Sequence, residues 1–228
     1  MASELAGPNG EVTDKLLMHY KVRSSCVGLV VVEHSYISPE GKYSPKQLGI
    51  WDDSLIDGLS KLSSTIKEGG ATTVIQLNHA GGKADPRVCS CKPIAPSSVL
   101  IPNSFEIPRE MVDDDFERVL KSFREAALRA IKAGFDGVEV HGAHGFLLNQ
   151  FLSPITNRRA DRFGGTLEGR MRFPLMVVEE VRKSIGSKLL MYRLGADDMI
   201  ENGFTADEAV KVAVKLVDAG VDIIDVSG

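Results

Sequence analysis

Cysteine is scarce in this chain, with three thiols in 228 residues, at positions 26, 89 and 91. So odd and sparse a set builds no disulfide framework, and it fits a reducing, cytoplasmic setting. Cys89-Ser90-Cys91 has tempting spacing for metal or redox work, but no second pair completes it, and it reads as two loop thiols. No apolar run approaches the roughly 18–20 residues of a membrane-spanning helix. The N-terminus lacks a basic segment followed by an apolar one, which argues against a secretory leader. Like charges form no block and the formal net charge is −4, so nothing draws nucleic acid or an anionic membrane surface. A GxGxxG stretch following a strand is missing as well, which weakens a dinucleotide-binding fold.

What is present suits one core. The chain is 43% hydrophobic and 25% charged, as expected of a single domain over 1–228. Short apolar runs at 27–32, 72–77, 136–140, 189–194 and 221–226 predict five strands, the first of them β-branched and apolar as a strand covered on both faces should be. Between them, 3.6-residue periodicity predicts helices at 54–68, 113–133, 167–185 (through Pro174) and 205–219, with one more at 14–24 before the first strand. Sustained strand–helix alternation marks an α/β fold, either a (β/α) barrel or a doubly wound sheet. The stretch 83–112 holds most of the prolines and shows no periodicity, as a functional loop would.

The chain is organised around 135–173, FDGVEVHGAHGFLLNQFLSPITNRRADRFGGTLEGRMRF. A buried strand gives out here into His141-Gly-Ala-His144-Gly, and in barrels and doubly wound sheets that end of a strand collects the chemistry. The imidazoles have three readings. They are structural, they ligate a metal, or they are paired N–H donors converging on a ligand oxygen. A zinc site needs a third ligand, and the helical HEXXH arrangement is absent. Spacing alone does not choose. Arg193, inside an apolar strand pattern, argues for a ligand independently, because such a charge is almost never buried unpaired.

These residues resemble the signature of the old yellow enzyme family of FMN-dependent ene-reductases, near the branch of xenobiotic reductases and the barrel of 2,4-dienoyl-CoA reductase. The resemblance extends to GLVVVEHSYISPEG (28–41), VIQLNHAGGKA (74–84) and LMYRLGADD (190–198), in the family's order. It implies a (β/α)8 TIM-barrel type, incomplete here. Strands two to six are expected, the first is expected to be mostly missing upstream, and strands seven and eight, whose loops hold the FMN phosphate, are expected to be absent. The chain thus reads as a piece of a barrel enzyme.

The resemblance also implies roles. FMN is the expected cofactor and NADH or NADPH the reductant, with hydride passing from flavin N5 to an activated alkene, a small-molecule substrate. His141 and His144 match the donor pair for the substrate's carbonyl oxygen, and His141 is expected to contact the cofactor as well. Gln76 matches the amide on the flavin's pyrimidine edge, and Arg193 the cation beside flavin N1 and O2. Ala2 falls where the family often has a threonine or cysteine against the flavin. Phe146 replaces a tyrosine whose phenol protonates the α-carbon in many members. Asn157, Arg158, Asp161, Arg162 and Arg170 read as loop-fixing ion pairs. An assembly of identical copies is compatible with all of this. Two other readings stand beside it: a non-catalytic fragment that does not retain FMN, and a metal-dependent hydrolase using His141, His144 and Glu139. Against the latter stands the expectation that Glu139 alternates away from His141.

Overall fold

The computed structural model describes residues 2–227. In chain order its elements are α1 (Asp14–Ser24), β1 (Leu29–Tyr36), α2 (Ile56–Glu68), β2 (Thr72–Asn78), α3 (Pro86–Cys89), β3 (Ile94–Ala95), β4 (Arg109–Glu110), α4 (Asp113–Lys132), β5 (Gly137–Gly142), α5 (Leu147–Leu152), α6 (Leu167–Ile185), β6 (Leu189–Gly195), α7 (Ala206–Asp218) and β7 (Ile223–Ser227). β1, β2, β5, β6 and β7 form one sheet in that order, every neighbouring pair parallel. Parallel strands need crossovers, and the long helices supply them. The five expected strands and five expected helices are therefore all present.

Local chemistry explains where the helices begin. The Thr13 hydroxyl accepts the Leu16 N–H at 3.2 Å, and Thr205 with Glu208 forms a reciprocal cap on α7. α4 opens with three aspartates at its positive end. The helices bury their apolar stripes against the sheet and one another, and Phe116 stacks on Phe163 with ring centres 4.2 Å apart.

The strand ends differ from expectation in one consistent way. β1 runs on through Tyr36, and β5 continues through His141 and Gly142. Backbone pairing pays no attention to side-chain polarity, so the ladder continues past the last apolar residue: His141 pairs with Arg193 and Gly142 with Leu194. α5 lies where only a long loop is expected, since six residues are too few to show helical periodicity. Likewise 83–112 contains one helical turn and the two-residue pair β3–β4.

The loop after α5 is held by ion pairs at Asp161 and Arg170, as expected, and by other contacts at Asn157, Arg158 and Arg162, where the ion-pair reading is corrected. Asn157 Nδ2 donates to the carbonyls of Phe151 and Phe163, both at 2.8 Å. Asp161 pairs with Arg159, while the Arg158 N–H donates to Ser97 Oγ and Arg162 lies over the Phe163 ring. Arg170 does form an ion pair, with Glu208.

Candidate active site

The C-terminal ends of the sheet strands and the loop after β5 enclose a cleft of about 330 Å³. All six residues expected at a site line it: Ala2, Gln76, His141, His144, Phe146 and Arg193. His34 and Ser227 join them.

Register explains the convergence. In-register parallel neighbours put side chains on one face in rows. Gln76 pairs with Glu139, and its amide donates to the Glu139 carboxylate. One row further towards the strand ends, His141, Arg193 and Asp225 stand side by side on β5, β6 and β7. Glu139 and His141 are two residues apart and share this face, so the expected alternation between them is wrong. Even so, no three His, Cys, Asp or Glu side chains gather into a metal shell among the described residues.

His34 arrives through an irregularity. The register of β1 against β2 slips between Val32 and Ser35, so that Glu33 and His34 together face Gln76. Such bulges re-aim side chains beside active sites. Glu33 turns to α1, its N–H donating to the Tyr20 hydroxyl at 2.8 Å. His34 turns to the cleft and stacks on Phe146, ring centres 5.3 Å apart. The Tyr43 N–H donates to Gln47 Oε1, which leaves Gln47 Nε2 to donate to His34 Nδ1 at 3.0 Å. His34 Nδ1 is thus an acceptor and Nε2 carries the proton. Sequence reasoning ended the strand at this residue and so missed it. Ser227, at the end of β7, gave no signal at all.

The imidazole pair is built by the turn after β5. His144 and Gly145 both take left-handed conformations, φ 58° and 68°, which for a histidine needs external support. Lys83 Nζ donates to the His144 carbonyl (2.8 Å), Asn149 Oδ1 accepts the Gly145 N–H (2.7 Å), and Gln150 Nε2 donates to the Gly145 carbonyl (2.7 Å). α5, unseen in the sequence, supplies two of these three ties. The Ala143 N–H donates to His141 Nδ1, and His141 Nε2 stands 3.4 Å from His144 Nδ1. His144 Nε2 is 2.7 Å from Ser227 Oγ. With Nδ1 accepting, His141 bears its proton on Nε2.

Burial sets the charges. It depresses His34 to about 4, lowers His141 well below 6.5, and lowers His144 with help from Arg193, so all three rings are neutral at neutral pH. Arg193 reaches Asp225 at 3.2 Å, yet its buried Nε has no partner. Burial pushes the Glu139 carboxyl up to about 7, against the hydrogen bond from Gln76. The cleft therefore presents neutral N–H donors and one partly unsatisfied fixed cation, a setting for an oxygen-rich, electron-accepting ligand.

The sequence profile of the NADH:flavin oxidoreductase / NADH oxidase family matches residues 1–228. The chain belongs to that family. It is 41% identical over 220 residues to the NADPH dehydrogenase of Bacillus cytotoxicus, covering 96% of this chain and 62% of that protein. Among solved structures it resembles the old yellow enzyme homologue of Zymomonas mobilis, with a TM-score of 0.90 and 28% identity over 98% of this chain and 66% of the other. Morphinone reductase in complex with tetrahydroNAD gives a TM-score of 0.88 at 30% identity, over 98% and 67%. The chain thus spans about three fifths of its Bacillus relative, 62% of the length. The five parallel strands form part of an old yellow enzyme-type (β/α)8 barrel, the cleft lying at the strand ends where such barrels place their sites.

Proposed function

We propose that the cleft binds the isoalloxazine of FMN and that the protein is an FMN-dependent NAD(P)H oxidoreductase reducing activated alkenes such as enones and enoates. The observation that carries this reading is one cleft joining two neutral imidazoles, a strand-end amide and an under-paired guanidinium. The residues suit the cofactor: Arg193 Nε is a buried donor without a partner, and a fixed cation there favours negative charge on a pyrimidine edge. Gln76 offers an amide that both donates and accepts.

Bound FMN supplies the hydride, drawn from NADH or NADPH. His141 and His144 orient the substrate's carbonyl oxygen through their N–H groups. As negative charge gathers on that oxygen both hydrogen bonds strengthen, in a pocket where the donors are already fixed. The 3.4 Å contact between the rings is weak and is readily given up to a ligand oxygen. Phe146 packs against His34 and Tyr43 and has no proton to give, so the α-carbon's proton comes from water or another group.

The test is enone-dependent NADPH oxidation by FMN-loaded protein. His141→Ala and His144→Ala are expected to keep the flavin and to lose about 10²-fold in kcat. Full activity in both variants would contradict the assignment.

A further inference from the structure

Cys89 and Cys91 lie outside the cleft chemistry, yet their geometry is that of a reacting pair. The single helical turn of α3 ends at Ser90 in a left-handed conformation, φ 54°. That reversal folds Cys91 back over Cys89. The Cys91 thiol donates to Cys89 Sγ at 3.1 Å, and the Cys89 thiol faces the Cys91 carbonyl oxygen at 3.2 Å. Both side chains are partly exposed and unbridged, within reach of small solutes. Cys89 also packs against the cluster of Ala80, Ala84 and Phe146, so it backs onto the cleft wall. Burial, with the Cys89 sulfur beside it, pushes the Cys91 thiol up to about 12, which marks Cys91 as the protonated partner of the pair.

We propose that Cys89 and Cys91 are a hydroperoxide-responsive dithiol that closes to an intramolecular disulfide, with Cys89 the attacking sulfur. The Cys89 thiolate attacks the terminal oxygen of the hydroperoxide. An S–O bond forms, the O–O bond breaks, and the alkoxide leaves as alcohol, taking up the proton that Cys89 released. Cys91 sulfur then attacks the resulting sulfenic acid. An S–S bond forms, the S–O bond breaks, and hydroxide departs as water with the proton of Cys91. Two thiols are oxidised, and one hydroperoxide is reduced to alcohol and water.

Cys26 is the internal control, exposed and without a neighbouring thiol. The whole chain is treated with stoichiometric hydrogen peroxide, quenched, alkylated and mapped by mass spectrometry, folded and in denaturing urea. The proposal predicts a product lacking two hydrogen atoms, with 89 and 91 blocked, 26 free, and full reversal by dithiothreitol. It forms faster in the folded chain than in urea, where Ser90 no longer aligns the pair. Cys91→Ser is expected to stop at a sulfenic acid on 89 that dimedone traps, and Cys89→Ser to leave 91 as thiol. Absence of that product, equal rates in urea, or dimedone labelling of 91 in place of 89 would overturn it.

Discussion

Glu139 and His34 illustrate how single residues tie the cleft to pH. The Glu139 carboxyl is raised from 4.5 to about 7, so the folded chain holds its proton where the unfolded chain releases it. Its contribution is fully present below 4.5 and is lost as pH rises through 7, a swing of about 3 kcal/mol at 1.36 kcal/mol per unit. Glu139→Gln, which keeps the amide contact with Gln76, removes that swing. Its urea-unfolding free energy is expected to exceed the parent's by up to about 3 kcal/mol above pH 7, with the advantage vanishing near pH 4.5. A constant difference across that range would refute the buried-carboxyl account. His34, depressed to about 4, acts in the opposite sense: its stabilisation is present above 6.5 and lost as pH falls. Phe146 yields a second prediction. A tyrosine there restores a phenol at the cleft wall, so Phe146→Tyr should speed alkene reduction by flavin-loaded protein, and stopped-flow oxidation of the reduced enzyme by an enone would show it. An unchanged rate would mean that proton delivery does not limit the reaction. At this scale Arg193 was legible as a charge interrupting an apolar strand and His141 and His144 as imidazoles where a strand gives out, whereas Gln76 was singled out only through the resemblance. His34 was hidden because its orientation comes from a register slip against β2, which no local pattern announces.

Elements position these residues through close backbone approach. A Cβ on Gly142 would run into the Tyr192 ring and hydroxyl, so the final residue of β5 must be glycine for β6 to pair beside His141. Gly142→Ala is expected to destabilise by about 1–3 kcal/mol through overpacking, measured by chemical denaturation. A neutral result would show that the Tyr192 ring yields easily. On α7, Thr205→Ala removes one half of the reciprocal cap and should cost about 1 kcal/mol. A cost near zero would mean the cap is redundant with packing. The five long helices and five sheet strands were legible because each carries a full period of its pattern. α3, α5 and the β3–β4 pair were not, being two to six residues long and fixed by tertiary ties such as the Gln150 side chain bonding to the Ala80 and Gly145 carbonyls. Strand ends were misjudged for a related reason: side-chain polarity marks where the core stops, whereas the ladder stops where backbone partners run out.

At the scale of the molecule, the fold brings the ends of five strands to one mouth, and the site residues come from segments as far apart as Ala2 and Ser227. No helix among the described residues is long and apolar enough to cross a membrane. The account rests on this mouth binding flavin, and the visible absorption spectrum of the purified chain, before and after incubation with FMN and desalting, tests that most directly. A shifted flavin band that stays with the protein, and is weakened in Arg193→Leu, is the predicted result. A colourless protein after desalting, with no spectral shift at saturating FMN, would contradict it.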